Sequence, residues 1–195
     1  MINIGILIFN GAEELDFVGP YEIFSILNTI GDEKRVNVFT LAEKREIIKC
    51  ANNLKVMPDY SIENTPIIDV LLIPGGDGRR KEMYNEILRD FILKTAETAK
   101  YTTSVCTGAF ILAEAGLLDG KKATTWKGVL DELDKYENIE MVKQRFVVEG
   151  NIITSAGVTA GMDMSLYLVE ALFGNEARRF VAEEIEYVAA EIDYK

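Results

Sequence analysis

Apolar runs alternate along the chain with stretches whose apolar positions recur at helical spacing, and this alternation predicts a mostly parallel sheet covered by helices on both faces. Residues 3–9 (NIGILIF) and 68–73 (IDVLLI) are apolar runs of the kind expected of buried strands. Residues 35–41 (RVNVFTL) alternate as a strand, 46–56 suggest a short hairpin, and 102–106 (TTSVC) form a further short strand. Helices are expected over 19–29, with Pro20 in the first turn, over 83–99, and over 107–116, ending at Gly116. A short strand near 122–124 precedes a helix near 127–135, and strands near 145–149 and 151–154 flank the turn Glu149-Gly150-Asn151. Helices over 158–173 and 175–190 follow, Gly174 capping the first and Asn175 starting the second.

With 195 residues and no repeat or Pro/Ser-rich linker, the chain is expected to form one domain over 1–195 with a substantial core. No apolar run reaches the ~18 residues of a membrane span. The opening MINIGILIFNG has neither a basic leader nor a small-residue cleavage pattern, so it reads as a first strand and points to the cytoplasm. A net charge of −11 would repel phosphate backbones, which argues against nucleic acid as a partner. The two cysteines, Cys50 and Cys106, form no Cys-x-x-Cys pair and predict no disulfide framework. The chain has no histidine, which excludes Ser-His-Asp triads, Cys-His dyads and histidine metal sites.

Three segments should converge at the carboxyl ends of parallel strands, where open α/β sheets place their sites. The first is Val105-Cys106-Thr107-Gly108, in which a cysteine stands between a strand and a helix, as the serine does in a nucleophile elbow. A thiol at a helix N-terminus is expected to ionise easily, so Cys106 needs no histidine base to be a thiolate near neutrality. The second is Pro74-Gly75-Gly76, a turn after a buried strand; the amides of Gly76 and Thr107 are candidate donors to an anionic intermediate. The third is the loop Glu13-Glu14-Leu15-Asp16, which can supply a proton-carrying carboxyl group. Asp16 stands out because Leu15, Phe17 and Val18 surround it with apolar side chains, while Thr107 could offer a hydroxyl to it, to the thiol or to a water. Cys50, in the expected hairpin, reads as a structural cysteine.

The segments Leu15-Asp16-Phe17-Val18-Gly19-Pro20, Ile73-Pro74-Gly75-Gly76, Ser104-Val105-Cys106-Thr107-Gly108-Ala109 and Ala115 through Thr125 resemble the ThiJ/PfpI superfamily over essentially the whole chain. The Asp-Phe-x-Gly-Pro and Cys-Thr-Gly-Ala segments are most similar to its isocyanide (isonitrile) hydratase branch, and also to the sensor domain of certain AraC-type regulators. The resemblance implies a flavodoxin-like three-layer α/β/α sandwich, a homodimer with the site near its interface, and a small-molecule substrate. It implies Cys106 as nucleophile, Asp16 as general acid/base and Thr107 as a supporting polar group, with Gly75 and Trp126 in the substrate pocket. The implied reaction adds water to R–N≡C to give an N-substituted formamide, with no metal or organic cofactor. The alternative it leaves open is a non-catalytic stress protein that senses oxidants through Cys106. Two departures matter. Many relatives carry histidine after Ala-Thr-Thr, where Trp126 follows Thr125 directly; and Thr107 follows the cysteine where the peptidase branch has histidine.

Overall fold

The computed structural model describes residues 1–188. Its elements, in chain order, are β1 (Ile2–Leu7), α1 (Glu14–Ile26), β2 (Val36–Ala42), the short strands β3 (Ile48–Lys49), β4 (Lys55–Val56) and β5 (Tyr60–Ser61), β6 (Val70–Ile73), α2 (Arg79–Glu82), α3 (Glu86–Ala96), β7 (Tyr101–Val105), α4 (Ala109–Glu114), β8 (Lys121–Ala123), α5 (Leu130–Leu133), β9 (Ile139–Met141), β10 (Phe146–Glu149), β11 (Ile152–Ser155), α6 (Ala160–Phe173) and α7 (Asn175–Glu184). Seven strands form the main sheet in the order β10-β11-β7-β6-β1-β2-β5, all parallel except β10, which runs antiparallel to β11.

Strand order reverses at β1, which has β2 on one side and β6 then β7 on the other. Right-handed crossovers therefore send α1 to one face and the helices between β6 and β11 to the opposite face. On the first face α1, α6 and α7 pack together. On the other, α3 buries Leu88 and Ile92, and α4 buries Ala109 through Ala113. This is the flavodoxin-like sandwich. β1 and β6 are apolar throughout their central positions because helices cover both sides of them: Ile4, Ile6, Leu7, Val70, Leu71, Leu72 and Ile73 are all inaccessible to solvent. The reversal at β1 opens a crevice beyond the carboxyl ends of β1, β6 and β7, the place where such sheets bind ligands. Among the described residues, no helix is long and apolar enough to cross a membrane.

Several boundaries depart from the sequence reading. The first helix begins at Glu14 rather than 19, so Pro20 stands inside it. Burial of Phe17, Pro20, Ile23 and Phe24 outweighs the hydrogen bond that proline cannot make. The helix expected over 83–99 is present as the shorter α3, Glu86–Ala96, because Asn85 caps its start by accepting the Ile87 and Leu88 N–H groups; the one-turn α2 ahead of it was not foreseen. The strand expected near 122–124 is β8, but its parallel partner β9 was not foreseen, nor was β5; these are only two or three residues long, too short to show a period. The last helix ends at Glu184, and residues 189–190 of the expected helix lie outside the described residues.

Candidate active site

Cys106 leaves β7 in a left-handed backbone conformation, with φ of 56°. For a non-glycine residue this costs on the order of 1 kcal/mol and persists only where neighbours enforce it. They do so here. The Cys106 N–H donates to the Ala156 carbonyl at 3.0 Å, and its own carbonyl accepts the Thr125 hydroxyl at 2.8 Å. The strand-to-helix reversal also brings the next turn hard against β6. A Cβ on Gly108 would stand 2.4 Å from the Ile73 carbonyl oxygen, so only glycine fits.

Asp16, in the first turn of α1, is wholly buried. Its Oδ2 accepts the Gly75 N–H at 2.9 Å, while Oδ1 has no hydrogen-bond partner. Burial, with Glu13 adding like charge, pushes this carboxyl up to about 7, against the Gly75 amide, the Cys106 thiol and the Val158 amide, which favour the charged form. Gly75 makes the approach of the two turns possible. A Cβ there would lie 2.5 Å from Thr107 N, 2.6 Å from its Oγ1 and 3.0 Å from Asp16 Oδ2. The Thr107 hydroxyl accepts the Gly76 N–H at 2.9 Å, so that amide is held by Thr107 in this structure.

The thiol departs from the expectation of easy ionisation. Burial first, then the Asp16 charge, pushes Cys106 up to about 12, although the Thr107 and Val158 amides and the Thr107 hydroxyl favour the thiolate. The physical reason is local. Cys106–Gly108 is a 3-10 turn ahead of a six-residue helix, too short for a strong dipole, and the side chain is only 7% exposed. Above pH 7 the pair therefore carries one proton and one negative charge between sulfur and carboxylate.

Of the three loop acids, then, Asp16 faces the sulfur. Glu14 instead accepts the Asn52 N–H at 2.7 Å and the Asn52 side-chain amide at 2.8 Å, lashing the β3–β4 hairpin to α1. Glu13 lines the same cavity as Cys106. Cys50 lies in the hairpin, buried, its amide donating to the Leu54 carbonyl at 2.9 Å.

Cys106 and Thr107 open onto a cavity of about 320 Å³. Ala51, Trp126, Val129 and Val158 supply apolar wall, and Glu13, Asp77, Arg79 and Arg80 supply charge. The Trp126 indole lies against Gly128 and Gly157, where a Cβ would come within 2.4 Å of the ring. Arg79 is nearly inaccessible; its guanidinium sits 4.0 Å over the Phe110 ring and donates to Glu132 at 2.8 Å. The sequence reading missed Arg79, Thr125 and Val158. Nothing local marks the first two, while Val158, a β-branched residue at φ 51°, reveals itself only in the backbone. Among the described residues, no group of three or more His, Cys, Asp or Glu side chains converges to hold a metal ion.

Residues 3–171 match the model of the DJ-1/PfpI family. The chain belongs to that family. It is 36% identical to an isonitrile hydratase of Pseudomonas putida over 97% of this chain and 80% of that protein. It is 28% identical to protein dj-1beta of Drosophila melanogaster, over 91% of this chain and 93% of that one. It also matches the transcriptional regulator GbdR of Pseudomonas aeruginosa at 26% identity, over 95% of this chain but half of the regulator. Among solved structures, a THiJ/PfpI family protein from Pseudomonas syringae superposes with a TM-score of 0.87 at 31% identity, covering 98% of this chain and 76% of that one.

Proposed function

We propose that this DJ-1/PfpI protein adds water to an isocyanide, R–N≡C, to give the N-substituted formamide. The observation that carries the reading is Cys106, held in a left-handed turn on the wall of a cavity of about 320 Å³, beside the buried Asp16 carboxyl, whose Oδ1 has no hydrogen-bond partner; burial pushes both groups up, so the pair is expected to share one proton. An isocyanide carbon must receive both a nucleophile and a proton, and this pair supplies one of each. The similarity to an isonitrile hydratase supports the same chemistry.

Sulfur attacks the isocyanide carbon as the proton of the pair passes to that carbon, giving the thioimidate R–N=CH–S–Cys106 and leaving Asp16 as carboxylate. The carboxylate then takes a proton from water as its oxygen adds to the same carbon, and passes that proton to the nitrogen; the proton left on the added hydroxyl goes back to the pair in the next step. Collapse of the tetrahedral adduct expels sulfur, releases R–NH–CHO and returns the pair with one proton. Water and isocyanide are consumed and nothing else is needed. The Thr107 and Val158 amides favour the negative sulfur that leaves. Thr107 also holds the Gly76 turn, and Trp126 with Gly76 bounds the space for the R group; Gly75, expected in the pocket, packs instead against Thr107 and Asp16. Incubation with alkyl and aryl isocyanides, followed by mass detection of the formamide, tests this reading. Turnover that vanishes in Cys106→Ala is expected; no formamide from either class, or turnover unchanged in that variant, defeats it.

The oxidant-sensing alternative draws on the likeness to dj-1beta, but a thiol held protonated by burial is a poor target for peroxide. Selective oxygen addition at Cys106 under mild peroxide, without turnover of isocyanides, would favour it. We further propose a homodimer in the cytoplasm. Leu15, Val18 and Tyr21 stand exposed along one face of α1 beside the site, an apolar strip that a second copy would cover. Both cysteines are free, as in a reducing compartment. Light scattering on the purified protein and cell fractionation check these two points.

A further inference from the structure

Arg145 brackets the loop that follows β11 at both of its ends. Its carbonyl accepts the Ala156 N–H at 2.9 Å, and the Ala156 carbonyl in turn accepts the Cys106 N–H at 3.0 Å. Its guanidinium donates to the Thr159 hydroxyl at 3.0 Å and forms an ion pair with Asp163 in α6, which is 2% exposed. The Tyr187 hydroxyl, from beyond α7, closes the cluster by donating to Asp163 at 3.3 Å. Between these two anchors lie Gly157, against which the Trp126 ring is packed, and Val158 in its left-handed conformation at φ 51°. Left-handed backbone at a β-branched residue relaxes unless its surroundings hold it. Val158 lines the same cavity as Cys106, and its amide favours negative charge on both Asp16 and Cys106.

We infer that the Arg145–Asp163 pair, with Thr159, is a positioning device that clamps the 156–159 loop so that the Val158 amide is presented to the Cys106–Asp16 pair. It touches neither sulfur nor carboxylate and acts through the loop. It rests on Cys106 being the reactive group and not on the identity of the electrophile. The other charged groups facing the thiol are Asp16 and Glu13 at the start of α1 and Asp77, Arg79 and Arg80 from the connection after β6. An exchange at Arg145 leaves all five in place.

The test is the pH dependence of iodoacetamide alkylation of the full chain, read at the peptide carrying Cys106, for wild type, Arg145→Gln and Thr159→Val. Loosening the loop withdraws a donor from the anion, so alkylation at a fixed pH on the rising limb is expected to slow roughly tenfold in Arg145→Gln. Thr159→Val, which removes one of the two anchors, is expected to slow it about threefold. Emission of Trp126, the only tryptophan, should shift alongside, since its ring abuts Gly157. A merely structural ion pair would lower the melting temperature and leave the alkylation profile where it was. That result in folded Arg145→Gln overturns the inference. Should Arg145→Gln fail to fold, Thr159→Val carries the test alone, and an unmoved profile overturns it there.

Discussion

Cys50 and Cys106 are both free and both buried, and burial pushes both thiols up, to about 11 and about 12. By ionisation alone the two would be equally inert. Their settings differ in three respects. Cys106 is held in a left-handed turn, opens onto a cavity of about 320 Å³, and shares a proton with a carboxyl that is itself pushed up to about 7. Cys50 sits in a hairpin, with the charges of Glu14 and Glu13 adding to its burial. The comparison teaches that, without histidine, the proposed chemistry depends on a partner that can exchange one proton with sulfur, and not on a free-standing thiolate.

The comparison can be broken most directly by removing each sulfur. Cys106→Ala should reduce formamide formation by roughly 10³-fold or more, because the covalent route is lost. Cys50→Ala should leave the rate within about twofold and cost about 1 kcal/mol in melting experiments. Equal losses in the two variants would dissolve the distinction.

Asp16→Asn comes next, with a fall in kcat of roughly 10²- to 10³-fold. The reacting pair needs one proton, not two, so the wild-type rate should rise with pH through about 7, where Asp16 ionises, and then level off. The same limb should be absent in Asp16→Asn. Stability moves the opposite way. The folded carboxyl titrates near 7, above its ordinary 3.8, so the native state binds the extra proton and stability falls as pH rises between those values. Asp16→Asn should therefore be the more stable protein at pH 8, by on the order of 4 kcal/mol at most. Matched pH–stability curves for the two proteins would contradict this.

Gly75→Ala sharpens the comparison without touching either sulfur. The added methyl would press on Thr107 and Asp16, so we expect a loss of about 1–3 kcal/mol and a drop in rate of roughly tenfold or more, with Cys50 alkylation unaffected. Thr107→Val is the mildest. It leaves the Gly76 amide without its 2.9 Å acceptor, which should cost about 1–2 kcal/mol and slow turnover several-fold, measured by chemical denaturation and steady-state kinetics.

Much of the site could be read along the chain because the relevant signals are local. An apolar run that stops at Pro74-Gly75-Gly76, a cysteine between a strand and Thr107-Gly108, and an aspartate framed by Leu15, Phe17 and Val18 each declare a turn or a buried polar group by their own neighbours. The clamp at Arg145 and Asp163 carried no such signal. The two residues are 18 positions apart and meet only when α6 packs beside β10. The start of α1 was misplaced for a related reason: Pro20 reads as a first-turn proline until packing over it holds the helix together.

The chain alone determined the alternation of strand and helix, the absence of histidine, and the meeting of three strand ends around Cys106, since apolar period and residue type are properties of short segments. Only the tertiary structure decided which acid meets the sulfur, and that the thiol, expected to ionise easily, is pushed up instead. Those outcomes depend on solvent exclusion and on distances between segments far apart in the chain, and both come into being when the sheet and its helices close over the crevice.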